Sequence, residues 1–207
     1  MISRSKVSRF IVALLLGASL SPSMASAHVP IPPKEPSEIG RREVKTPVAD
    51  FKLTNQDGKP FQFKNSRGKL VLATFIFTTC PDVCPLLTAK FAAIQRTLDE
   101  NKTKDYLLLS ISTDPERDGA TVLKEYAGRF KADLRNWSFL TGARQELAKV
   151  WNIFRVNVTK SQAGDVNHTT LTTLIDRQGN RRVDYYGDKW QDKEVLKDIQ
   201  WLRTQKP

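Results

Sequence analysis

The chain has 207 residues, a formal net charge of +11, two cysteines and two histidines. That length supports one domain with one buried core once terminal segments are set aside. Its Lys and Arg residues are scattered rather than blocked, so the charge suits anionic surfaces such as membrane headgroups or acidic proteins and leaves no footprint for nucleic acid.

The chain opens as an export signal. Arg4, Lys6 and Arg9 precede an apolar run from Phe10 to Leu20, and Ala25-Ser26-Ala27 follows as an A-x-A cleavage site. An apolar run of this length is too short for a spanning helix, which needs about twenty residues. No cysteine follows the run, closing the lipid-anchor route. A protein starting at His28 is therefore expected, soluble in the periplasm or an equivalent extracytoplasmic space, or tethered there if the signal is retained. Residues 1–27 carry three of the 33 basic residues and none of the 22 acids, which leaves +8. Residues 28–47 hold Pro30, Pro32, Pro33, Pro36 and Pro47 and read as an extended, semi-rigid linker. The domain is then expected over 48–207.

Phe51-Lys52-Leu53 and Phe61-Gln62-Phe63 alternate around Asp57-Gly58, the pattern of a β-hairpin. Leu70 to Phe77 is a nearly continuous apolar run, suited to a strand buried on both faces. Leu87, Phe91, Ile94 and Leu98 then recur at helical spacing, so a helix is expected from Cys84 or Pro85. A second buried strand, Tyr106 to Ile111, leads to Asp114-Pro115-Glu116-Arg117-Asp118, where Asp before Pro reads as a helix cap followed by a first helical residue. That helix carries Val122, Leu123, Tyr126 and Phe130. Asp114 and Arg117 are taken as the capped helix start with a local ion pair, and Trp137, Phe139 and Trp151 as core. Further on come a strand at Trp137–Leu140, a helix at Arg144–Asn152, a strand at Leu171–Asp176, a turn, a return strand at Arg182–Tyr186 and a helix at Asp192–Arg203. This is the α/β element order of a thioredoxin-like fold with an extra N-terminal hairpin.

Both methionines, Met1 and Met24, fall within the signal, so the remaining soft or borderline metal donors are Cys80, Cys84, His28 and His168. Cys80 and Cys84 sit where a central strand meets a helix N-terminus, whose dipole and free N–H groups favour thiolate. Residues four apart in a helix have Cα atoms about 6 Å apart, close enough for a disulfide or for one metal ion. By itself the pair is open to redox or metal chemistry.

The segment Thr74-Phe75-Ile76-Phe77-Thr78-Thr79-Cys80-Pro81-Asp82-Val83-Cys84-Pro85 resembles the signature of the Sco/SenC copper proteins. The resemblance continues through Asn55-Gln56-Asp57-Gly58-Lys59, Ser112 to Asp118, Trp137 to Gly142, and His168 with Leu174-Ile175-Asp176 and Gly179 behind it. It implies a site in which Cys80, Cys84 and His168 bind one copper per chain, as Cu(I) or Cu(II), a donor set whose chemistry suits both states. It further implies a monomeric metallochaperone, not an enzyme, delivering copper to the dinuclear copper site of cytochrome c oxidase; the partner is that enzyme's copper-bearing subunit or another copper enzyme. The alternative is a thiol-disulfide reductant that uses Cys80 and Cys84 without metal. A copper-responsive sensor or store would use the same residues.

Thioredoxin-like oxidoreductases place a cis-proline opposite their cysteines, before a late strand. No proline lies between Val158 and Tyr186, and His168 stands at about that place. A peroxiredoxin would carry threonine where this chain has Phe77. One departure from the family concerns the residue before the histidine, commonly an acid: here it is Asn167, with Asp165 two places earlier. A neutral neighbour supplies less charge to favour Cu(II) or to orient the ring. Cleavage after Ala27 would make His28 the N-terminus, where amine and imidazole together can chelate Cu(II).

Overall fold

The computed structural model describes residues 40–162 and 164–205; the expected signal, most of the proline-rich segment and His28 lie outside them. Chain order is β1 (Arg41–Pro47), β2 (Lys52–Asn55), β3 (Pro60–Gln62), β4 (Leu70–Ile76), α1 (Val83–Glu100), β5 (Tyr106–Ser112) and α2 (Ala120–Arg129). Then follow β6 (Trp137–Thr141), α3 (Arg144–Phe154), β7 (Val158–Lys160), β8 (Val166–His168), β9 (Leu171–Ile175), β10 (Asn180–Tyr186) and α4 (Asp192–Thr204).

Every residue of β4 is buried, and the two-residue period of a strand divides them between two cores. Leu70, Leu72 and Ile76 pack with Leu87 and Phe91 of α1, Leu123 of α2 and Val195 and Ile199 of α4. Val71, Ala73 and Phe75 face the other way, onto Leu147, Val150 and Phe154 of α3 and onto Phe51, Leu53 and Phe63 near the β2–β3 hairpin. Burying one such side chain contributes about 1.5–3 kcal/mol, so a strand filled on both faces is the anchor of the fold.

Eight strands form one sheet in the order β1-β10-β9-β4-β5-β6-β2-β3. β4 runs parallel to β5 and antiparallel to β9, with Thr74 opposite Thr172. The end of β4 therefore lies beside the start of β9. Helices on both faces of this mixed sheet, with α1 following the central β4, make the fold thioredoxin-like with the expected extra hairpin.

Two expectations need correction, and one element was not anticipated. Residues 41–47, assigned by composition to the linker, form an edge strand paired with β10. Asp114 caps no helix: α2 starts at Ala120 after Gly119, and Asp114 to Asp118 form a turn in which the Arg117 and Asp118 amides donate to the Asp114 carbonyl. Val122 consequently lies on the outer face of α2, 39% exposed. A third hairpin, β7–β8, forms a separate two-stranded sheet that the apolar pattern did not announce.

β1 is fastened by charge. The Arg41 side chain, only 3% exposed, donates from Nε and Nη2 to the two oxygens of Asp198 on α4, at 2.9 and 2.8 Å. The Tyr185 hydroxyl donates to the same carboxylate. Removing one partner of a buried pair costs about 3–5 kcal/mol where it strands the other charge; here Glu43, 3.2 Å from Arg41 Nη1, remains. Asp198→Ala is thus expected to lower unfolding free energy in urea by about 3 kcal/mol, the lower end of that range, and a loss below about 1 kcal/mol would show that Arg41 finds water instead.

Candidate metal centre

The turn between β4 and α1 is built on Asp118, which is fully buried. One carboxylate oxygen accepts the Thr78 amide at 3.1 Å and the Thr78 hydroxyl at 2.6 Å; the other accepts the Ser112 hydroxyl at 2.7 Å. Burial pushes the Asp118 carboxyl above the usual range, opposed by these hydrogen bonds. The Cys80 amide then donates to the Phe77 carbonyl at 3.2 Å. Pro81 and Asp82 project into solvent, and Cys80 is half-buried.

The first turn of α1 tolerates Pro85, because an amide there has no partner within the helix. Asp82, at the cap position, makes no side-chain cap. Instead the Cys84 amide donates to the Cys80 sulfur at 3.5 Å, so one cysteine caps the helix that carries the other. Thr88 donates its hydroxyl to the Cys84 carbonyl at 2.8 Å and, with that hydrogen spent, accepts from the Tyr126 hydroxyl at 3.0 Å. This buried chain holds the first turn against α2.

Cys84 is 1% exposed. Burial pushes its thiol far above the ordinary range, and the neighbouring Cys80 and Asp118 add to the effect. The expectation that a helix N-terminus favours thiolate therefore fails for Cys84 in the metal-free protein: desolvation outweighs the dipole.

His168 ends β8, opposite Val158 of β7. Its Nε2 lies 4.0 Å from Cys84 Sγ, and its Nδ1 lies 3.0 Å from the Thr169 carbonyl oxygen. A carbonyl only accepts, so Nδ1 carries the hydrogen and Nε2 presents a lone pair toward the sulfur. Phe77 packs edge-on to the ring at 5.8 Å between centroids. Burial lowers the imidazole pKa, partly opposed by the Thr169 carbonyl, so the ring stays neutral and able to ligate at neutral pH.

Cys84 and His168 are brought together from positions 84 residues apart, because the β4–β9 pairing sets the approach to β9 beside the exit of β4. Cys80 faces the Cys84 amide. Among the described residues no three His, Cys, Asp or Glu side chains already converge as a formed metal site. Both cysteines are free thiols. Asp165 stays in its own turn, where the Ser161 hydroxyl donates to its carboxylate at 3.4 Å, and exposed Asn167 pairs with Thr159. The hydrogen bond to Nδ1 is thus the Thr169 carbonyl's, a partner that sequence reading missed, as it missed Lys160, which reaches the buried Asp114 at 3.5 Å. Val158 and Val166 on either side of Gly164-Asp165 were the available, weak signal of their hairpin.

A profile of the SCO1/SenC family matches residues 40–204. The chain is 31% identical over 175 residues to the SCO1 protein homolog of Bacillus subtilis, covering 81% of this chain and 90% of that protein. Among solved structures, Arabidopsis thaliana ScoI with copper bound is similar at a TM-score of 0.68 and 30% identity, covering 76% of this chain and 99% of that one. BsSco, described with a disulfide switch and as a member of the Sco family of cytochrome c oxidase assembly proteins, matches at a TM-score of 0.69 and 30% identity, covering 79% and 97%. The chain belongs to the SCO1/SenC family.

The unequal burial of the thiols has a direct readout. In reduced, metal-free protein, Cys80 should be alkylated by iodoacetamide at least about tenfold faster than Cys84, because Cys84 is buried and its thiol is pushed up by that burial. Equal rates by peptide mass spectrometry would contradict the buried, protonated state of Cys84.

Proposed function

We propose that this protein is a copper-binding metallochaperone acting in an exported compartment, that Cys80, Cys84 and His168 hold one copper ion, and that the cargo goes to the dinuclear copper site of cytochrome c oxidase. The observation that carries the reading is the approach of His168 Nε2 to Cys84 Sγ at 4.0 Å, with the other ring nitrogen committed to a carbonyl. In a disulfide catalyst an imidazole lone pair aimed at the buried sulfur would serve only to take its proton; in a metal site it is a ligand. Two soft thiols with one imidazole suit Cu(I) and also accept Cu(II). The copper-bound relative and the oxidase-assembly relative support the choice of cargo and of recipient.

The donors have different roles. Half-buried Cys80 is the one a partner's ligand meets first, whereas Cys84 is rooted in the core beneath it. Cys84 gives up its proton when metal binds, so uptake releases protons and strengthens as pH rises. The positive charge of the ion offsets the desolvation that keeps the free thiol neutral.

The second reading, a thiol-disulfide reductant, draws on the reduced state and proximity of the two cysteines. Cys80 thiolate would attack a partner disulfide and release one partner thiolate; Cys84 would then displace the second, its thiol proton passing to a released partner thiolate, leaving the partner reduced and Cys80 and Cys84 joined as a disulfide. That exchange balances in electrons and needs no His168. His168→Ala therefore separates the readings. The variant is expected to keep its fold and a reversible Cys80–Cys84 disulfide, to lose the thiolate-to-Cu(II) absorption, and to bind Cu(II) more weakly by over roughly a hundredfold, beyond what loss of an outer-sphere partner causes. It should also fail to mature the copper enzyme in cells. If it supports full maturation while Cys80→Ser does not, copper delivery gives way to the reductant.

A further inference from the structure

His168 stands on an element that is not part of the main sheet. Among the described residues the β7–β8 hairpin pairs only with itself, whereas Cys80 and Cys84 are rooted through β4 and α1. At its base the hairpin is joined to itself, the Thr169 amide donating to the Asn157 carbonyl at 3.0 Å and the Asn157 amide to the Thr169 hydroxyl at 3.1 Å. Its position over the cysteines is set by Val158, which packs against the core, and by one further link.

That link is a charge clasp on the turn after β5. Asp114 is fully buried, and each of its oxygens takes one cation: Arg117 Nε on one, and Lys160 Nζ of β7 on the other at 3.5 Å. Arg117 also reaches across with Nη2 to donate to the Gly164 carbonyl in the hairpin turn at 2.9 Å. Glu116 lies 3.7 Å from the same Lys160. The turn is fixed to the site's floor, since the Thr113 amide and hydroxyl both donate to the Ile76 carbonyl at the end of β4, at 2.8 and 3.1 Å. One side of the clasp is therefore rigid relative to the cysteines, and the other carries the histidine.

We propose that Asp114 and Arg117 are positioning residues that lock the β7–β8 hairpin so that His168 meets Cys84, setting the approach of the imidazole from outside the core that holds Cys84. This rests on the reading of His168 as a copper ligand. A buried carboxylate between two cations is held by charge-assisted hydrogen bonds, stronger than neutral ones, and the Arg117 fork spans two acceptors in a fixed geometry that lysine does not reproduce.

The test compares wild type, Arg117→Ala, Arg117→Lys, Lys160→Ala and His168→Ala in two measurements. In metal-free protein, amide hydrogen exchange across Thr159–His168 should be about tenfold faster in Arg117→Ala, the factor expected for losing a charge-assisted hydrogen bond, with β4 and β5 amides unchanged. Loaded with Cu(II), Arg117→Ala should move the thiolate charge-transfer band toward that of His168→Ala. Arg117→Lys, which keeps the charge on Asp114 but not the reach to Gly164, should fall between. Lys160→Ala removes only the hairpin's own half of the clasp and should accelerate hairpin exchange even if the Arg117 variants fold poorly. Wild-type exchange in both alanine variants, or acceleration spread equally over β4, would overturn the proposal. So would a wild-type band in Arg117→Ala while His168→Ala loses it; if His168→Ala itself keeps the band, the ligand reading fails instead.

Discussion

The burial of one sulfur governs this structure. Cys84 lies at the start of α1 with its thiol enclosed by the core, so it is neutral until a positive charge or a bond to sulfur compensates the loss of water. A neutral thiol is a weaker nucleophile than a thiolate, and sulfur and imidazole nitrogen are both donors that copper accepts. The surrounding contacts keep that pair together: the Thr88–Tyr126 chain fixes the Cys84 carbonyl, the Thr169 carbonyl fixes the ring tautomer, and Phe77 closes one side. Without them the imidazole would turn its N–H toward the sulfur or titrate freely.

The two halves of the site come from distant parts of the chain, and one strand pairing joins them. Thr74 and Thr172 face each other across β4 and β9 and are linked by hydroxyl hydrogen bonds, Thr172 to Thr74 at 3.3 Å and Thr74 to the Leu171 carbonyl at 3.1 Å. Buried threonines at this point are costly unless satisfied, and here they are satisfied by each other and by backbone. Register is thereby specified where it matters, since a slip of one residue in β9 would turn every side chain to the opposite face. The cysteine turn is fixed by Asp118 and the histidine hairpin by Asp114. The Ser112–Asp118 stretch thus supports both arms of the site through its acids, while Arg117 reaches from it to the hairpin.

Much of this was legible in the sequence where burial follows apolar pattern. β4, α1, β5, β9 and α4 are visible because their side chains alternate or recur with the period of the element that forms; Cys80, Cys84 and His168 stand out as candidates because they are three of the chain's four cysteines and histidines. β1 was hidden because its one fully enclosed side chain is Arg41, a charge whose partner Asp198 lies 157 residues away; no apolar period can reveal that. The start of α2 was misread because Asp114-Pro115 has the local chemistry of a cap, yet the Asp114 carboxylate is drawn into ion pairs and the helix waits for Ala120. β7 and β8, three residues each, are too short to carry a period. The protonation of Cys84 was misjudged because a helix N-terminus is readable from sequence, whereas the depth of burial that outweighs it is a property of the assembled fold.

The central claim is that the buried thiol, its partner cysteine and the hairpin histidine form one copper shell. X-ray absorption at the copper edge of the stoichiometrically loaded protein tests it most directly. Two sulfur scatterers and one imidazole, with the imidazole signal absent in His168→Ala, are the expected result; a shell containing a single sulfur, or one whose imidazole signal survives in His168→Ala, would contradict it.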